Sequence, residues 1–162
     1  MMKEIIIILW AALFAGSLSA QISPIDELLD HYLEVKNALV KGDDKLASAK
    51  ADQLATLLLS YDTVEEDVIT LNRFIKTKDL LIKEVKSIAS AKDIEKQRLA
   101  LGELSSHVWA LVNISKSVSK TIYYNFCTMK KMYWLSEEAA INNPFYGKSM
   151  LSCGKIEDQN ID

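Results

Sequence analysis

Apolar side chains recur at steps of three, four and seven along most of the stretch between residues 24 and about 120. That period fits α-helices that each bury one stripe. Ile25, Leu28, Leu29, Tyr32 and Leu39 make the first stripe, with Asp30 and Lys36 outside it. Ala47, Ala51, Leu54, Leu57 and Leu58 make the second, and Val64, Val68, Leu71, Ile75, Ile82, Val85 and Ala89 the third. Ile94, Leu101, Leu104, Val108, Leu111 and Val118 make the fourth. The stripes are wide enough to face a shared core rather than a narrow coiled-coil seam.

The punctuation agrees with the period. Ser23-Pro24 is an N-cap followed by proline at the first helical position, and Gly42 ends the helix. Asp43 or Asp44 caps the second segment, and Thr63-Val64-Glu65-Glu66 has capping-box spacing for the third. The fourth begins near Asp93. Connections at 41–44, 60–63 and 90–93 are short, which favours antiparallel neighbours. The expected fold is therefore all-α: an antiparallel up-down four-helix bundle with an irregular C-terminal extension rich in aromatics, Cys and Met.

Composition narrows the function. A chain of 162 residues suits one domain, and two prolines and five glycines argue against a loop-rich all-β fold. A net charge of -3 offers no basic field for nucleic acid or an anionic membrane. Met1-Met2-Lys3, the apolar run Ile5–Phe14 and the small residues up to Ala20 follow the order of a secretory signal peptide. Residues 1–20 are thus expected to be removed, leaving 21–157 as one exported, periplasmic or secreted domain with no membrane attachment. Outside the cytosol, the two cysteines, Cys127 and Cys153, could pair as a disulfide.

After residue 120 the character changes. Thr121–Phe126 is β-branched and aromatic and reads as extended, whereas Leu135–Ile141 reads as a short helix capped by Ser136 and stopped by Asn143-Pro144. Asp158–Asp162 reads as a frayed polar end. Once the leader is gone, every methionine (Met129, Met132, Met150) and both cysteines lie beyond residue 126. Cys127-x-Met129 on an extended strand would point both sulfurs the same way, and Met150-x-x-Cys153 in a turn would share a face. Two thiolates and two thioethers brought together would select a soft ion such as Cu(I), whereas zinc prefers more Cys or His than the chain has. His107, at the edge of the fourth stripe, is a possible fifth donor or else a boundary histidine. Trp134 could cover a cation through its ring face, or simply pack.

The competing reading is a Cys127–Cys153 bridge, which would contribute about 3–4 kcal/mol by closing the intervening loop and would need no metal. Catalysis has no signature: the chain carries no nucleophile elbow, P-loop, dinucleotide fingerprint or HExxH. A non-enzymatic role is expected.

Cys127-Thr128-Met129, Trp134-Leu135-Ser136, Asn143-Pro144-Phe145-Tyr146-Gly147, Met150 and Cys153-Gly154 together resemble the tail pattern of the bacterial domain of unknown function 3347 family. Tyr32, Lys36-Asn37-Ala38-Leu39-Val40, Gln97-Arg98 and Leu104-Ser105 fit the N-terminal half of that pattern. Thr128 departs from it, since the family usually has proline there, and loosens the turn. The family occurs as short exported proteins and at the C-terminus of periplasmic adaptors of copper/silver efflux systems. The resemblance implies metal handling, with Cys127, Met129, Met150 and Cys153 as ligands of Cu(I) or Ag(I) and a metal-efflux adaptor or other periplasmic protein as partner. The alternative is a non-metal helical interaction domain whose tail is stapled by the Cys127–Cys153 disulfide.

Overall fold

The computed structural model describes residues 22–61 and 66–160. The signal-peptide reading of residues 1–20 and the Thr63–Glu65 part of the capping box lie outside the described residues. Four helices form the main body: α1 (Pro24–Lys41), α2 (Asp44–Ser60), α3 (Val68–Ser90) and α4 (Ile94–Val112). The caps follow local chemistry. The Ser23 hydroxyl accepts from the Asp26 amide at 3.0 Å with Pro24 opening the helix, and Gly42 closes it in the left-handed region (φ 77). Asp43 and Asp93 cap α2 and α4. The cap of α3 is Asp67, whose carboxylate accepts from the Ile69 and Thr70 amides, so the helix starts at Val68. None of the described helices is long and apolar enough to cross a membrane.

The stripes of α1, α2 and α4 are buried largely as expected, but α3 is rotated by one residue. Its buried face is Thr70, Phe74, Thr77, Leu81, Val85 and Ile88, while Val68 and Ile75 stand 72% and 62% exposed. Two threonines can face the core because neither hydroxyl is left unbonded. Thr70 Oγ1 donates to Asp67, and Thr77 Oγ1 donates to the Arg73 carbonyl. Phe74 then fills the space against Tyr61, ring edge to face at 6.0 Å. Lys36 is likewise buried, contrary to its expected outward position. Gln97 ties the first turns of α4 and α2, its Nε2 donating to the Asp44 carbonyl and Ser48 Oγ, both at 3.0 Å.

The all-α expectation fails beyond α4. A three-stranded antiparallel sheet of order β2-β1-β3 is built from β1 (Tyr123–Cys127), β2 (Met132–Ser136) and β3 (Lys155–Gln159). The extended reading of Thr121–Phe126 holds for β1. The helix expected over Leu135–Ile141 does not form, because Leu135 and Ser136 are drawn into β2 by pairing with Tyr124 and Tyr123. Of the end expected to be frayed, Asp158 and Gln159 belong instead to β3, paired with β1 though exposed throughout, while residues 161–162 lie outside the described residues. A 3₁₀ turn at Gly147–Ser149 lies against α1.

The sheet joins the helices through a buried hydrogen-bond chain. The Leu135 amide donates to Tyr32 Oη at 3.0 Å, Tyr32 and Ser105 hydroxyls lie 2.6 Å apart, and Ser105 Oγ donates to the Leu101 carbonyl at 2.6 Å. With the Ser105 proton committed to Leu101, the Tyr32 proton goes to Ser105, so each group donates once along the line. Burial raises the Tyr32 phenol above its usual range and keeps it neutral. The chain also occupies an amide on the outer edge of β2, where it would otherwise be an unpaired edge group.

Candidate sulfur site at the end of the sheet

The β1–β2 hairpin turns through residues 128–131, closed by the Lys131 amide donating to the Cys127 carbonyl at 2.8 Å, with Lys131 at φ 55. Strand β1 therefore ends at Cys127, and Met129 sits at the hairpin tip rather than on the strand. The alternation invoked for Cys127-x-Met129 stops where the strand stops. Met129 is 60% exposed while Cys127 is fully buried. Lys130 holds the tip to the body, with Nζ 3.2 Å from Glu95 and 5.3 Å from the centre of the Tyr146 ring. Arg98 and Lys130 together keep the Glu95 carboxyl below its ordinary range, the Arg98 hydrogen bond being the larger cause.

The other sulfur-bearing segment arrives through β3. Its register with β1 ends at Phe126 opposite Lys155. Gly154 and Cys153 directly precede Lys155 and so arrive at the Cys127 end of β1. A Cβ at Gly154 would lie 3.0 Å from the Phe126 carbonyl oxygen and 2.6 Å from the Trp134 ring, and φ there is 146. Only glycine fits that approach. The turn before it is fixed by Asn143, fully buried, which receives the Phe145 amide on Oδ1 at 2.8 Å and donates from Nδ2 to the Cys153 carbonyl at 2.6 Å. The Cys153 amide donates to the Met150 carbonyl at 3.1 Å. Both cysteines are free thiols, Cys127 buried and Cys153 half-buried.

Aromatic rings frame this end. Trp134 is fully buried, edge to face with Phe145 at 5.9 Å, which makes it a packing residue. Its Nε1 and the Oδ1 of its cross-strand partner Asn125 have no hydrogen-bond partner among the described residues. On the opposite face Trp109, Tyr124, Tyr133 and Phe126 form a continuous row, with neighbouring ring centres 4.5–4.8 Å apart.

The β1–β2 turn with Met129 and the chain leading into β3 with Met150 and Cys153 thus lie at the same end of the sheet as Cys127, the last residue of β1. His107 is not among them. Its Nδ1 lies 3.0 Å from Glu84 of α3, whereas α4 meets the sheet through Gly102 and Trp109 on its other flank. Among the described residues, no three His, Cys, Asp or Glu side chains converge to hold a metal ion. A sulfur-only donor set, which suits a soft monovalent ion, fits the residue types at this end of the sheet.

A family model described as a protein of unknown function, DUF3347, matches residues 28–120. That span covers nearly all of the helical body and stops before β1. No curated protein and no solved structure matches the chain.

Proposed function

Taking as premise that the chain belongs to the DUF3347 family, whose activity is undescribed, we propose that it is an exported soft-metal module that binds Cu(I) or Ag(I) and buffers the ion or passes it to an efflux partner. The carrier is read as an antiparallel up-down bundle, because helices joined by links at 42–43 and 91–93 pack side by side. One observation carries the reading: two sulfur-bearing segments, distant in sequence, adjoin at the end of β1 with both thiols unbridged. The competing reading, a disulfide-tied interaction domain, draws on the same adjacency.

A competition titration of the reduced mature protein with Cu(I) separates the two. Cys127→Ser and Met150→Leu are each expected to weaken binding, and unchanged affinity in both removes the site. A quantitative disulfide in the protein as exported, with no copper uptake after reduction, favours the interaction domain instead.

A further inference from the structure

Resting on that metal reading, we infer that Met132, rather than Met129, supplies the thioether that acts with Cys127. In the antiparallel β1–β2 pair Cys127 is directly opposite Met132. Directly opposed residues point to the same face, with Cβ atoms about 4.5–5.5 Å apart. Met129 has no such relation to Cys127, since it lies in the tip beyond the last paired residue and most of its surface faces solvent. A sulfur buried as deeply as Cys127 is served first by a donor already beside it inside the sheet.

Helix α4 supplies the room and the restraint. Met132 lies over Gly102, where a Cβ would come within 2.1 Å of the Met132 methyl and 3.1 Å of its sulfur. Any other residue at 102 would drive the thioether away from the helix. Met132 is half-buried and packed against the core, so its side chain is held in place while part of the residue remains accessible. A thioether held by packing loses little freedom on coordination, whereas an exposed one at a hairpin tip has more rotamer freedom to lose. When Ag(I) enters, Cys127 gives its thiol proton to solvent, the sulfur–silver bond forms, and the neutral Met132 sulfur donates a lone pair without gaining or losing a proton.

The test uses Ag(I) on the reduced mature protein, with affinity read by chelator competition. Met132→Leu, which keeps the side-chain size and removes sulfur, is expected to weaken binding by about tenfold or more. Met129→Leu is expected to leave it unchanged. In wild-type protein carrying methyl-labelled methionine, the Met132 methyl resonance should move on addition of Ag(I) and the Met129 resonance should not. That measurement keeps the inference testable should Met132→Leu lose its fold. Unchanged affinity in Met132→Leu, or a shift confined to Met129, overturns the assignment while leaving the metal site standing. A wild-type protein that takes up no Ag(I) overturns the metal reading itself.

Discussion

The helical body and the C-terminal sheet follow different rules of construction. The body contains no sulfur, and most of its buried polar groups are bonded: Thr70, Thr77, Ser105 and Tyr32 all have partners, as does Gln97 through its amide nitrogen. The sheet region holds both cysteines and all three described methionines, and leaves Trp134 Nε1 and Asn125 Oδ1 unpartnered at its centre. Buried polar atoms without partners cost about 1–3 kcal/mol each, so native folds keep them few. Among the described residues the body leaves His31 Nδ1, Gln97 Oε1 and Arg98 Nε unpartnered as well, so the two regions differ not in polar satisfaction but in sulfur, which lies wholly in the sheet region, and the sheet leans on the body through the Tyr32 hydrogen bond. The family match ends at residue 120, on the border between the two.

That contrast can be broken most forcefully at Trp134. Trp134→Ala empties the largest fully buried side chain and should lower stability by about 3–5 kcal/mol in denaturant unfolding. A single transition is expected; two separated transitions would make the sheet an independent unit and end the idea that it depends on the bundle. Next comes the joint itself. Tyr32→Phe leaves the Leu135 amide and Ser105 hydroxyl without their shared partner and should cost about 1–3 kcal/mol. Combined with Ser105→Ala the losses should sum to less than their separate values, and full additivity would show that the chain is not one network.

Lys36 sharpens the contrast from the side of the body, where it is buried on α1 along with Asp26. Desolvation lowers its pKa, opposed by the carboxylates of Glu137 and Glu138 in the segment after β2. Its folded pKa thus lies below the ordinary 10.5, so between the two values the unfolded chain holds the extra proton. The Lys36 contribution to stability therefore improves as pH rises through the folded value toward 10.5. Lys36→Met should remove that rise, and melting curves from neutral to alkaline pH check it. The smallest effect is expected at His107, whose pairing with Glu84 is near the surface. His107→Gln should shift stability by no more than about 1 kcal/mol and leave Ag(I) affinity unchanged. A marked loss of affinity would return His107 to the site.

Legibility in the sequence followed the range of the interaction. Ser23, Gly42, Asp43 and Asp93 act within a turn of themselves, and their caps could be read directly. The face of α3 is not legible in a hydrophobic pattern because threonine counts as polar there, although Thr70 bonds to the Asp67 cap and Thr77 to its own helix and both enter the core. Strand β2 was hidden because Ser136 followed by Glu137, Glu138, Ala139 and Ala140 has the composition of a capped helix, and only pairing with β1 decides otherwise. Strand β3 shows no alternation, since an edge strand exposed along its whole length has no buried face to encode. The clustering of sulfur was visible in the residue list. The opposition of Cys127 and Met132 was not, because it depends on a hairpin register that no local spacing specifies.

The burial of Trp134 carries one more consequence. Trp134 is enclosed by Phe145 and by the backbone at Gly154, so the proposed binding of a heavy ion near the end of β1 is expected to quench its emission. Trp109, stacked on Tyr124 at 4.8 Å, lies on the other face and serves as an internal standard. In a variant lacking residues 1–20, and with them Trp10, these are the two indoles, so emission alone would test the proposed ion binding without any added dye.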